Sequence, residues 1–136
     1  MSTAIDLTVQ ARVVARPAAF PIFATLHYDS RDPLAVQVVF PAEVALDGVE
    51  VAWTFARSLL DEAQRGPVGH GDVRLWPHGP DRTMLELQAT EGLALVEIPS
   101  REVRTFLAES YRLVSEADEH RRLDVEQSLA LLLRGV

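Results

Sequence analysis

The chain has 136 residues, 48% of them hydrophobic and 24% charged, enough apolar material for one core and too much for wholesale disorder. It contains no cysteine, which removes disulfides, thiolate metal sites and cysteine nucleophiles. The formal charge is −7 and every basic residue except histidine is arginine, scattered rather than clustered. That balance argues against a general nucleic-acid or anionic-lipid binder. No apolar run approaches the roughly 18 residues of a membrane span, and the beginning of the chain has no secretory-signal pattern.

The first half alternates with period two, the signature of strands with one buried face. Ile5, Leu7, Val9, Ala11 and Val13 form the first such series. After a break between Pro17 and Pro21 come Ile22, Ala24, Leu26 and Tyr28. Asp29 to Pro33 is turn chemistry, and Leu34, Val36, Val38 and Phe40 make a third strand. An Asp47-Gly48 turn leads to Val49, Val51, Trp53 and Phe55. Short connections predict an antiparallel meander of these four.

Ala56 to Gln64 predicts a helix with Ala56, Leu59, Leu60 and Ala63 on one face, stopped by Gly66-Pro67. Three strands follow, over Asp72 to Trp76, Thr83 to Thr90 and Leu93 to Ile98, the last two joined by a Glu91-Gly92 turn. Pro99 ends the last strand and Ser100 is the expected N-cap of a helix carrying Val103, Phe106, Leu107, Tyr111 and Val114. Ser115 to Arg122 is expected as a charged connection, with Asp124 and Gln127 opening a final helix of Leu129, Leu132 and Leu133. The expected fold is therefore α+β: one domain over residues 1–136, with about seven strands in antiparallel sheets, arranged four, helix, three, then two helices.

The 91–92 turn sets a register in which Leu85, Leu87 and Ala89 face the core and Glu86 stands opposite Glu97. The reverse face then carries Leu93 and Leu95, just as Val39 opposes Val36, Val38 and Phe40. Apolar residues on both faces of an antiparallel sheet need two coverings. The C-terminal helices supply one, so Leu93, Leu95 and Val39 are candidates for an interface between copies. The short middle helix covering the second face is the alternative. Arg74 neutralises the glutamates in this reading, and Arg74, Trp76 and His78 form the candidate partner-binding surface, since tryptophan and arginine dominate interaction hot spots.

Catalytic chemistry finds weak support. His27 and Asp29 share a strand face near Asp32, but a metal needs three converging ligands and nothing turns Asp32 back. His70, Asp72 and His78 are separated by the redirecting Pro77. The serines lie in or beside predicted helices, without a nucleophile-elbow pattern. Gly69-His70-Gly71-Asp72 precedes a strand and so lacks the helix N-terminus of a phosphate loop. Glu86 and Glu97 read as a structural charge cluster. The expectation is no catalytic residue, no cofactor and no metal.

Four segments carry a resemblance: YDSRDPLAVQVVF (Tyr28 to Phe40), VAWTFARSLL (Val51 to Leu60), GPVGHGDVRLWP (Gly66 to Pro77) and HRRLDVEQSLALLL (His120 to Leu133). Together they resemble the SsgA/SsgB-like family of actinobacterial sporulation and cell-division proteins. The resemblance implies a Whirly-like fold assembled as a homotrimer. It also implies a non-enzymatic role in placing sporulation septa, with FtsZ, the tubulin-like GTPase, and family paralogues as partners. The location it implies is the cytoplasm at the division septum, without membrane insertion. Whirly-like relatives bind single-stranded nucleic acid, which gives the alternative function; the acidic, lysine-free composition argues against it.

Overall fold

The structure is a computed structural model that describes residues 3–14, 18–44, 48–90 and 92–134, with the side chains of residues 44 and 70 outside the description. Pro17, Asp47 and Glu91, on which three expected breaks were centred, lie outside the described residues. The elements run β1 (Ala4–Val14), β2 (Phe20–Asp29), β3 (Ala35–Phe40), a short 3-10 turn (Ala42–Val44), β4 (Val51–Ala56), α1 (Arg57–Glu62), β5 (Val68–His70), β6 (Val73–His78), β7 (Arg82–Ala89), β8 (Gly92–Pro99), α2 (Ser100–Leu113) and α3 (Glu116–Leu133).

All eight strands form one antiparallel sheet in the order β4-β3-β2-β1-β8-β7-β6-β5. It consists of two meanders, β1 to β4 and β5 to β8, fused where Val13 of β1 pairs with Val96 of β8. The expected seven strands become eight because Val68–His70, too short and glycine-bearing to show alternation, pairs with β6. Gly69 takes φ +90° there, where a Cβ would lie 2.5 Å from the Val73 carbonyl oxygen. Only glycine permits that close approach.

The sheet curls. Trp53 of β4 and Arg74 of β6 line a common depression of about 700 Å³, and α1 packs on both β4 and β5. The two ends of the strand order are thereby drawn toward each other, with α1 bridging them. One face supplies the core: Val9, Leu26, Tyr28, Val36, Val38, Leu75, Leu85 and Val96 are each at most 2% exposed, as are Leu60 of α1 and Val103 and Phe106 of α2. α2 packs against β1, β7 and β8. Burying a leucine- or phenylalanine-sized side chain stabilises by about 1.5–3 kcal/mol.

Several sequence expectations are corrected. Ala89 pairs with Gly92 and Leu85 with Val96, so Glu86 stands opposite Leu95 and Glu97 opposite Met84. The register differs by two residues, which keeps each side chain on its expected face but separates the two glutamates. Gly92 is accordingly a strand residue rather than a turn residue. Ser100 is the first residue of α2 rather than its cap; its hydroxyl lies 2.8 Å from that of Thr83 on β7. The expected charged connection from Ser115 is helix: Ser115 caps α3 by accepting from the Asp118 N–H. Asp124 is internal to α3 and not a cap.

Candidate interaction surfaces

The reverse face of the sheet carries all six residues singled out by sequence. Arg74, Trp76 and His78 project from β6 opposite Glu86, Met84 and Arg82 of β7. The Arg74 guanidinium stands 3.8 Å from Glu86 and the His78 ring 3.7 Å from Glu97. The two glutamates therefore have separate neighbours on β6, an arginine and a histidine. Met84, 5% exposed, lies outside the core cluster and is flanked across the strands by Trp76 and Glu97.

Leu93 is exposed and Leu95 half-buried, the latter between Glu86 of β7 and Val14 of β1. Val39 lies farther off, separated from Leu95 by β1 and β2. The six residues thus form two neighbouring groups and one outlier rather than one patch. Polar pairs cross the strands of this face: His27 and Asp6 meet at 2.6 Å, Thr8 and Thr25 at 3.3 Å, and Gln37 and Thr54 at 3.1 Å. Such cross-strand pairs tie the strands together without any cover.

The sequence reading missed Phe23, the most exposed aromatic side chain of this face at 64%. It stands two residues before Thr25, the partner of Val39. The signal was available, since Phe23 is out of phase with Ile22, Ala24, Leu26 and Tyr28. Among the described residues α1 and α2 pack on the core side of the sheet, which leaves the reverse face uncovered.

A second missed residue is Arg57, the first of α1 and completely buried. Its Nη1 donates to the carbonyl oxygens of Ser110 at 3.1 Å and Val114 at 2.8 Å. These lie at the C-terminal end of α2, where unpaired carbonyls concentrate negative charge. The guanidinium carbon sits 4.9 Å from the centre of the Tyr28 ring and 4.3 Å from that of Tyr111. Nη2 lies 3.4 Å from the carboxylate of Glu119, itself buried on the first turn of α3. One cation thereby joins β2, α2 and α3. Burial raises the Tyr111 pKa, reinforced by its hydrogen bond to Asp61. Burial also raises that of Tyr28, against the opposing effect of Arg57.

Beyond that anchor α3 is open. Leu129, Leu131, Leu132 and Leu133 are all more than half exposed, so the last turns of the helix present apolar side chains around its circumference. No helix among the described residues is long and apolar enough to cross a membrane.

The residues considered for a metal do not assemble. His27 meets Asp6, while Asp29 is held by Arg31 through its backbone N–H at 2.9 Å and its guanidinium at 2.6 Å. These bonds to Arg31 depress the Asp29 carboxyl to a pKa of about 2. Among the described residues no three histidine, aspartate or glutamate side chains come together as a metal-holding group. His70 lies on β5, with its side chain outside the description.

A single curled antiparallel sheet of eight strands, with helices on one face and two helices after it, defines an α+β architecture. A family model described as "Streptomyces sporulation and cell division protein, SsgA" matches residues 22–119, and the chain belongs to that family. It is 40% identical to the sporulation-specific cell division protein SsgB of Salinispora tropica, across 98% of this chain and 95% of that one. Identity to SsgB of Streptomyces coelicolor is 38%, across 98% of both. A solved SsgA-like sporulation-specific cell division protein from Thermobifida fusca superposes with a TM-score of 0.77 at 29% identity, covering 96% of this chain and 97% of that one. A solved SsgB structure, described with mutations that correlate to longitudinal cell division in sporulating Streptomyces coelicolor, also gives 0.77, at 34% identity over 89% of this chain and 96% of that one. Family membership supports a role in sporulation septation.

Proposed function

We propose that this chain is a non-enzymatic interaction protein of sporulation-specific division, one functional domain that helps to position septa and recruits or regulates FtsZ. In this reading it works in the cytoplasm at the septum as a homo-oligomer, a trimer by family resemblance, and contacts family paralogues as well. The observation that carries the reading is the uncovered reverse face of the sheet. Exposed Leu93 and Phe23 and half-buried Val39 and Leu95 stand on it, while among the described residues α1 and α2 pack on the other face, in a family of sporulation division proteins. Apolar side chains left this way favour association with a second copy or a partner. Arg74, Trp76 and His78 add an aromatic and two basic groups at the border of that face, suited to partner contact.

The test combines sedimentation velocity with co-pelleting of polymerised FtsZ. Wild-type protein is expected to sediment as an oligomer and to increase or alter the pelleted FtsZ. Leu93→Asp with Leu95→Asp should shift the oligomer toward monomer, because association would bury charge. Arg74→Ala with Trp76→Ala should weaken FtsZ contact while leaving oligomerisation in place. A wild-type protein that is monomeric at every concentration and leaves FtsZ unchanged overturns the proposal.

A further inference from the structure

At one end of the sheet, where β1, β7 and β8 meet the start of α2, lies a cavity of about 690 Å³. Arg12 of β1, Arg82 of β7 and Arg101 of α2 line it. Three arginines from three separate elements thus line one space in a chain of net charge −7. Elsewhere Arg31, Arg57, Arg65, Arg74, Arg121 and Arg122 each face a carboxylate, while among the described residues Arg104 and Arg112 on α2 and Arg134 after α3 do not. Arg12, Arg82 and Arg101 take part in no ion pair among the described residues. Among the described residues Glu102 is the one carboxylate lining the cavity. Glu97, opposite Arg12 in the strand register, stands within ion-pair distance of His78 instead.

The cavity therefore holds an excess of positive charge that the fold itself does not neutralise. Guanidinium forks match carboxylates in planar, paired hydrogen bonds. Pro21, Pro99 and Ala19 complete the lining with small apolar surface, against which a peptide backbone can lie. We propose that this cavity binds an acidic peptide segment of a partner protein, whose carboxylates pair with Arg12, Arg82 and Arg101. A nucleic acid presents a continuous row of phosphates to a protein whose overall field repels it; a few carboxylates fit three cations without that penalty. The inference rests on the adaptor reading only in taking the ligand to be a protein segment. The site itself stands on the charges.

The experiment is fluorescence anisotropy with a short labelled peptide of aspartates spaced by serine and glycine, and the same peptide with asparagines. The aspartate peptide is expected to bind at low ionic strength and to weaken as salt is added. Arg82→Gln with Arg101→Gln should weaken it at least about tenfold, since charge-assisted hydrogen bonds are lost. Arg104→Gln with Arg112→Gln, an equal change in net charge on exposed α2 positions outside the cavity, should change it by less than about twofold. Circular dichroism checks folding, and the single Arg101→Gln variant replaces the double if the double is unfolded. The proposal is overturned if the asparagine peptide binds equally, if neither peptide binds, or if the Arg104/Arg112 pair loses as much. Tighter binding of an oligothymidine than of the aspartate peptide overturns it in favour of nucleic acid. Peptide binding by a wild type that ignores FtsZ leaves the cavity assignment standing and removes the FtsZ reading; the converse removes the cavity assignment alone.

Discussion

Replacing Arg57 by methionine keeps most of the side-chain volume and deletes the charge. Glu119, 4% exposed, then keeps its carboxylate in a buried site without the cation 3.4 Å away. Breaking a buried pair from one side costs about 3–5 kcal/mol, mostly because the surviving charge stays desolvated. The hydrogen bonds to the Ser110 and Val114 carbonyls and the two ring contacts are lost as well. One term runs the other way: Nε and Nη2 have no hydrogen-bond partner, so removing arginine also removes a desolvation cost. The net expectation is a loss of about 3 kcal/mol, a large part of the 5–15 kcal/mol that holds an ordinary domain together.

Urea unfolding followed by circular dichroism, at one fixed protomer concentration because oligomers gain stability by mass action, measures this loss. The double variant Arg57→Met, Glu119→Leu should recover most of it, leaving about 1 kcal/mol or less, because both charges then leave the interior together. Hydrogen exchange adds a local readout: amides in the first turns of α3 should exchange faster in Arg57→Met, while those of β1 and β2 lose only their share of global stability. A single variant within about 1 kcal/mol of wild type refutes the reasoning. So does a double variant no more stable than the single one.

The only two tyrosines of the chain, Tyr28 and Tyr111, both have raised pKa values. Phenolate absorbance should therefore stay absent from the native protein above pH 10 and appear near pH 10 in concentrated guanidinium. The sign follows: protons retained by the folded state stabilise it below the unfolded pKa, and that stability is lost as pH rises through the folded one. Gly69→Ala forces a methyl group against the Val73 carbonyl at positive φ; calorimetry should show destabilisation of about 2 kcal/mol. Asp29, with a folded pKa of about 2, contributes stability that is complete above its unfolded pKa near 3.9 and lost as pH falls toward 2. Asp29→Asn should flatten that part of an acid-unfolding curve, and an unchanged slope would count against the Arg31 contact.

Strand phase was legible because burial on one side imposes it. Val36, Val38 and Phe40 could not exchange faces with Gln37 and Val39 without turning the core outward. The same logic explains why a register wrong by two residues still put Leu95 and Glu97 on the correct face. Pair partners were not legible, because the choice of turn residues sets them and the glycine of Glu91-Gly92 reads equally well as turn or strand. Arg57 was missed for a different reason. A charged residue at a helix start reads as solvated, yet Arg57 lies three residues before Leu60 and shares its inward face. The beginning of α3 was misread because Glu116, Asp118 and Glu119 resemble a charged loop, although acidic residues in a first turn also suit the positive end of a helix.

The hidden cation and the open leucines of α3 belong to one arrangement. A helix whose last turns are apolar all round has no inward face of its own to fix its direction. Its direction is set instead at its beginning, where Ser115 caps it and Glu119 meets a guanidinium also bonded to the end of α2. The leucines at 129, 131, 132 and 133 are then held away from the sheet with their apolar surface uncovered. A helix presented in this way takes its direction from its root rather than from a buried face. Charges at that root provide direction as well as attraction, because a buried guanidinium must meet its carbonyl and carboxylate partners in one geometry.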